Sequence, residues 1–465
     1  AADAEAAVMY AYGTLNYLEY SRTIFFLGDM ASETMTTKSD ASADNQDLNN
    51  WKVGNFKTNG SLENFFKYAF IGVNRANAVI KKVPDAGFSQ EQKDLFLGEA
   101  YFLRAWNYFN LVRNFGLVPL HKSVVETVDQ TSTALAPDMD AMYDLILSDC
   151  RRAAELLPVY ETPKIGRADR VAAQALAAKA YLYVASAKEH GVKLYRDMHR
   201  DATVMYDSAA YFAGEVIENQ SVYGFESSLL DIYDVEKARG KEHIFIMAMD
   251  RSGSSEGQYS KISKMFIPYI DGATLYLKQG DKDEYIPTHD GWGEYQTTVA
   301  FYNTFDASDK RKTELIVDKV YKADGTLLGE YPGKIPYPFC RKYIDPKFEG
   351  DKTSTRPFLL RFSDVALIYA EAAGPTAKAY ELVNFIRSRA GLGDMKPNLG
   401  KDEFRREILK ERTFELAFEG DHVYDLRRWN RITIDVPEAA ELSEDQVTFY
   451  PIPQAEINLN GSLRP

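Results

Sequence analysis

The chain has 465 residues, with 55 lysines and arginines against 68 aspartates and glutamates, a formal net charge of −13. That balance argues against a phosphate-backbone partner and provides no basic stripe for anionic lipid, so nucleic acid is excluded as a ligand. Two cysteines, Cys150 and Cys340, are too few for a disulfide framework, and no stretch reaches the ~18–20 uninterrupted apolar residues of a membrane span.

The opening run, AADAEAAVMYAYGTLNYLEYSRTIFF, lacks a basic leader region and reads as a helix. The loop SDASADNQDLNNWKVGNFKTNGS (39–61) follows, carrying Asn49, Asn50, Trp51 and Phe56. Flat rings beside amides suit a sugar, whose C–H faces stack on the ring while amides take the hydroxyls; a peptide backbone asks for the same groups. Asp40, Asp44 and Asp47 imitate a calcium loop, but the glycine and terminal glutamate that such a loop needs are missing.

Segments 91–115, 138–157, 168–189 and 201–219 carry long helical patterns, broken at Pro84, Gly116–Pro119 and Pro158–Pro163. At a constant offset of 75, Ala100, Ala105 and Tyr108 fall on Ala175, Ala180 and Tyr183, and Trp106 falls on Tyr181. Small residues let helices approach while aromatics fill the neighbouring groove, the stacking of tetratricopeptide-like helix pairs. Trp106, Tyr108 and Phe109 are therefore expected in the core. Cys150, within MYDLILSDCRRAAELL, is expected as a buried free thiol.

From about Gly240 the texture changes to short apolar runs separated by Gly, Ser, Asp and Pro clusters, which predicts loops with short strands. Aromatics flanked by polar residues are dense here: Tyr259, Phe266, Tyr269, Tyr276, Tyr285, then HDGWGEYQ with Asp290, Trp292 and Tyr295. Gly291 and Gly293 offer no side chains to cover Trp292, which makes it a candidate ligand platform, with a folded-back loop anchor as the other reading.

In the last hundred residues, DEFRREILKERTFELAFEGDHVYDLRRWNR (402–431) places Glu411 and Glu415 on the same helical arc as Phe404 and Ile408. If that face packs on a core the two carboxylates need partners, and Arg427 and Arg428, beyond a break at Gly420, are the expected ones. A glycosidase pair is the rival, since carboxyls at i and i+4 stand about 5–6 Å apart, near the ~5–5.5 Å of a retaining enzyme; but such a pair must flank a substrate from separate walls. No nucleophile-elbow, phosphate-loop, dinucleotide or zinc-protease motif is present, and the six histidines show no ligand spacing. Neither cofactor nor metal is expected.

The run ILKERTFELAFEGDHVYDLRRWNR, with GEAYFLRAWNYFNLVRNFGLVPL (98–120), RPFLLRFSDVALIYAEAA (356–373) and FYPIPQAEINLN (449–460), resembles, in the same order, the RagB/SusD family of outer-membrane nutrient-binding lipoproteins. Two departures are His422-Val423, where arginine and an aromatic are common, and the ending NGSLRP. The resemblance implies a mostly α, SusD-like fold: one domain with a tetratricopeptide-like helical superhelix over 1–239, a loop-rich, short-stranded ligand region over 240–358, and C-terminal helices over 359–465. It further implies a non-catalytic, surface-exposed outer-membrane lipoprotein that captures an oligosaccharide, or a peptide, and delivers it to a SusC-like TonB-dependent transporter. The lipidated cysteine would precede residue 1. Carried over residue by residue, the ligand site falls on Asn49, Asn50 and Trp51 and on Tyr259, Tyr276, Asp290, Trp292 and Tyr295. A helical-repeat adaptor for another protein is a further rival, and exposed rings in glycine-rich loops argue against it.

Overall fold

A computed structural model describes residues 2–161, 164–218, 221–237 and 240–464. The fold is mostly α, and the chain divides into two compact units, each assembled from separated stretches: 1–23, 50–222 and 424–465 in the first, 24–49 and 223–423 in the second. Contacts thus group the residues differently from the three consecutive segments read along the sequence.

The first unit is a succession of helices, α1 (Ala2–Tyr12), α2 (Gly60–Lys82), α3 (Gln90–Phe115), α4 (Met139–Leu156), α5 (Arg170–Glu189) and α6 (Ala202–Glu218), each packed against the next. Their starts follow from capping chemistry. Asn59 accepts the Ser61 and Leu62 N–H groups, Ser89 and Gln92 form a reciprocal capping box, and Asp138 and Asp169 accept from Ala141 and Ala172. Ala100, Ala105, Ala175 and Ala180 are buried at the close approaches, and Trp106, Tyr108 and Phe109 are buried with them. Buried polar groups are answered within the unit: Arg104 forks onto Asp149 at 2.7 and 2.8 Å, and Glu99 takes Arg167 and the Tyr12 hydroxyl. Cys150 is a buried free thiol.

Among the described residues the second unit holds all the strands: β1 (Met35–Thr37), β2 (His243–Ile246), β3 (Thr274–Lys278), β4 (Tyr285–His289), β5 (Tyr295–Thr297), β6 (Ile316–Val317), β7 (Lys319–Tyr321), β8 (Leu327–Glu330), β9 (Phe339–Cys340) and β10 (Phe358–Arg361). Strands β4-β3-β7-β8 form an antiparallel sheet, with Tyr276 opposite Pro287 on one side and Tyr321 on the other. Its inner face packs Leu275, Leu277 and Val320 with Ile267, Ile335 and Phe339. The remaining strands pair two by two, β1 with β5, β2 with β10 and β6 with β9. Helices α7 (Phe362–Ala373), α8 (Ala377–Arg389) and α9 (Lys401–Glu415) complete the unit, with Phe404 and Ile408 of α9 fully buried as the periodicity predicts.

Glu411 and Glu415 are buried on that same face, but their partners are not the expected ones. Glu415 accepts from Arg389 at 2.7 Å, Arg311 at 3.2 Å and Arg361 at 3.3 Å; Glu411 accepts from Arg311 at 2.6 Å and Arg387 at 3.0 Å. Glu242 joins through Arg361 and Arg389, Glu419 through Arg361 and Lys342, and Asp309 through Arg311. Arg427 instead donates to the Arg113 and Val447 carbonyls, and Arg428 to Asp425 and Ser186, all within the first unit. The local reading erred because the answering guanidinium groups lie 26 to 104 residues upstream of Glu415, where no periodicity links them.

Burial alone would raise the Glu415 carboxyl, but Arg389, Arg361, Arg311 and Lys342 outweigh it and hold the group well below the usual carboxylate range. Asp29 is the opposite case. Burial pushes it up to about 7, even though its Oδ2 accepts the Gly420 N–H at 2.7 Å. At that contact Gly28 has no room for a side chain, since a Cβ would stand 2.1 Å from the Gly420 carbonyl oxygen.

Two outcomes follow, both read by thermal unfolding. Glu415→Ala strands buried guanidinium groups and should cost roughly 3–5 kcal/mol; because the folded pKa is depressed, the stabilisation is present above the unfolded value of about 4.3 and is lost as the pH falls below it, so Glu415→Gln should flatten the acid limb. Asp29 has the reverse sign: its raised pKa favours the fold at low pH, and that contribution fades from about pH 4 to about 7. Asp29→Asn, which keeps an acceptor for Gly420, should therefore gain stability relative to wild type as the pH rises from 5 to 8; an unchanged difference would show that Asp29 does not titrate there.

Candidate ligand-binding surface

In the second unit the segment joining β4 to β5 lies against the short helix Ile262–Phe266 and the turn after it, held by main-chain bonds. Gly291 N–H donates to the Pro268 carbonyl at 2.9 Å, Trp292 N–H to Lys264 at 2.7 Å and Gly293 N–H to Ile267 at 3.0 Å. Three successive donors satisfied by backbone leave no freedom for the loop to slide. Glycine at 291 is required by space, because a Cβ there would sit 2.0 Å from the Ile267 carbonyl oxygen. Gly293 has φ +64°, a left-handed conformation that side chains resist.

The result is a tryptophan that has a fixed backbone and remains 38% exposed. Lys261 Nζ lies 5.7 Å from its ring centroid, near the ~6 Å limit for cation–π attraction. Tyr269, three residues before Gly272, is 68% exposed. Tyr259 is half-buried with Lys352 Nζ 5.0 Å from its ring. Lys261 is paired with Glu256 at 3.9 Å and nearby Lys264 with Asp351 at 3.1 Å, while Lys352 donates to the Gly253 carbonyl, so the surface pairs aromatic faces with both signs of charge. Such a surface suits an uncharged, hydroxyl-rich ligand better than a polyanion.

Several expected site residues have structural roles instead. Asp290 is buried, and its Oδ2 accepts the N–H groups of Ile270 at 2.9 Å and Gly272 at 2.8 Å, so it clamps the turn beneath the tryptophan. Tyr295 is buried among Phe25, Phe26 and Phe266 because β5 turns alternate side chains inward. Asn49 is buried, accepting the Thr37 N–H and donating to Thr36 Oγ1, both at 3.2 Å, which pins β1. Tyr276 is half-buried in the sheet between Pro287 and Tyr321.

In the first unit Trp51 is 3% exposed, stacked on Tyr450 with ring centroids 6.1 Å apart and flanked by Phe56. The loop looks solvent-facing in sequence, but the tail residue Tyr450 covers its ring, so Trp51 anchors the loop and is no platform. Asn50 beside it is exposed. Lys261 and Lys352 were not anticipated; nothing in their local sequence marks a lysine that will lie over a ring.

Among the described residues no group of three histidine, cysteine, aspartate or glutamate side chains could hold a metal ion, and no helix is long and apolar enough to cross a membrane.

Residues 318–444 match the model of the SusD family, and residues 7–182 match a second SusD-like model described as starch-binding associating with the outer membrane. SusD-like protein P2 of Formosa agariphila is 26% identical, over 100% of this chain and 92% of its own length. Among solved structures, a laminarin-binding SusD-like protein superposes with a TM-score of 0.79 at 24% identity, covering 99% of this chain and 98% of the other. Surface glycan-binding protein A from Bacteroides thetaiotaomicron, solved with laminarihexaose, gives 0.76 at 20% identity over 99% and 98%. Family models at both ends of the chain, relatives aligned along its length and one shared architecture agree: the chain belongs to the SusD/RagB family.

Proposed function

We propose that the protein is a non-catalytic binding protein of the outer-membrane surface that captures an oligosaccharide and delivers it to a TonB-dependent transporter. The observation that carries this reading is Trp292, a half-exposed ring on a backbone fixed by three main-chain hydrogen bonds. A rigid aromatic needs no ordering when a sugar face stacks on it, so little of the contact energy is lost to entropy. Membership of the SusD/RagB family and the glycan ligands of two structural neighbours support the same ligand class. Attachment to the membrane by an N-terminal lipid and docking on a SusC-like barrel are part of the proposal, by family analogy.

The placement of the carboxylates supports the reading that the protein carries out no chemistry of its own. Glu411 and Glu415, the pair with glycosidase-like spacing, are buried and bonded to arginines, so neither can meet a substrate. The exposed surface around Trp292 offers one or two stacking contacts and a few hydrogen bonds. That corresponds to dissociation constants of roughly micromolar to millimolar, about −8 to −4 kcal/mol, suited to cargo that must be released.

Calorimetry with laminarihexaose and a wider oligosaccharide panel tests the proposal. Trp292→Ala should weaken binding about tenfold or more, which is about 1.4 kcal/mol, with an unmoved melting temperature. Gly291→Ala should lose both, because its Cβ collides with the carbonyl that holds the loop. Binding unaffected by Trp292→Ala would move the site elsewhere, binding of oligopeptides alone would replace the ligand class, and shorter oligosaccharide products after incubation would show an enzyme.

A further inference from the structure

A second cleft in the same unit, of about 450 Å³, lies between the 228–235 segment and the 279–286 turn and has no part in the surface around Trp292. Its volume is within the ~300–1,000 Å³ of small-molecule sites. Arg341 and Glu314 both line it. Arg341 is 5% exposed, and its guanidinium donates to two neutral oxygens, the Lys278 carbonyl and Gln279 Oε1. Among the described residues no carboxylate stands within ion-pair distance of it. Burial accordingly lowers its pKa to about 10, against the opposing pull of Glu314. In the same unit Arg311, Arg361 and Arg412 are buried at least as deeply, and each bonds at least one carboxylate.

Glu314 shows the complementary deficit. Its half-buried carboxylate has no side-chain hydrogen bond and no ion pair among the described residues, and it faces Gly280 across the cleft, 3.3 Å from where a Cβ would be. Burial raises its pKa, and Asp281 nearby raises it further. The cleft therefore contains a desolvated positive charge at one place and a pair of carboxylates at another, close enough to feel each other and too far apart to bond.

We propose that this cleft binds a small zwitterion of the α-amino-acid class, its carboxylate on Arg341 and its ammonium on Glu314 and Asp281. Burying an unpaired charge is costly, and a ligand carrying both opposite charges relieves both ends at once. Three N–H donors of the guanidinium remain after the two bonds to neutral oxygens, enough for a bidentate grip on a carboxylate. A neutral sugar compensates neither charge. A simple anion meets a rim on which Asp231, Asp234 and Glu284 outnumber Lys282, and a simple cation leaves Arg341 unanswered. The assignment is independent of oligosaccharide binding at Trp292.

Titration of the full chain by calorimetry with glycine and a panel of α-amino acids, against acetate, methylammonium and glucose, tests it. At least one amino acid should bind tenfold or more tighter than every control. Glu314→Gln, which removes no hydrogen bond of the fold, should weaken that binding about tenfold or more without moving the melting temperature, and Trp292→Ala should leave it intact. Arg341→Gln should weaken it too; should that variant fail to fold, chemical-shift changes at the Gly280 and Leu315 amides during the titration replace it. No amino acid binding, equal binding of acetate or methylammonium, Glu314-dependent binding of glucose, or full affinity in Glu314→Gln would each overturn the proposal.

Discussion

The second unit depends on charges that have been taken out of water together. Glu242, Asp309, Glu411, Glu415 and Glu419 share Arg311, Lys342, Arg361, Arg387 and Arg389, and most of these side chains are almost wholly buried. The network offers no large surplus over a hydrophobic core of the same shape, because desolvation consumes much of the attraction. What it provides is geometry. Guanidinium groups bond in fixed planes, so β10, α8, α9 and the segment before β2 can meet in one arrangement that leaves no charge stranded.

That geometry reaches the candidate sites through short stretches of chain. Lys342 bonds the Glu415 carbonyl and the Glu419 carboxylate, while Arg341 beside it lines the small cleft. Likewise the Trp292 loop is presented by main-chain bonds to the segment around Phe266, whose ring packs on Tyr343 and Tyr295. An exposed ring and a rigid backbone coexist because the loop's own donors are spent inward.

The helices were legible in the sequence for a physical reason: their signals are local. Periodicity, caps and the alternation of alanine with aromatics are all written within one or two turns, and α3 to α6 begin and end within two residues of expectation. The burial of Glu411 and Glu415 was equally legible from Phe404 and Ile408, but the identity of their partners was not, because ion pairs at long sequence separation leave no periodic trace. The burial of Trp51 and Asp290 was hidden for the same reason. Trp51, in a polar loop, is covered by Tyr450 from the far end of the chain, and Asp290 spends its carboxylate on a turn about twenty residues upstream. The exposure of Trp292 was readable because the two flanking glycines exclude local cover whatever the rest of the chain does.

The discontinuous make-up of the two units bears on how the molecule comes into being. Residues 424–465 belong with helices formed from residues 50–222, and residues 24–49 belong with a unit that begins again at 223. A nascent chain therefore cannot finish its first unit and set it aside before starting the second, as consecutive domains do during synthesis. Both closures wait for distant pieces, and such non-local contacts slow folding and leave apolar surface uncovered meanwhile. Until Tyr450 arrives, Trp51 and Phe56 lack the ring that seals them, so two of the largest apolar side chains of the first unit stay uncovered until synthesis is almost complete.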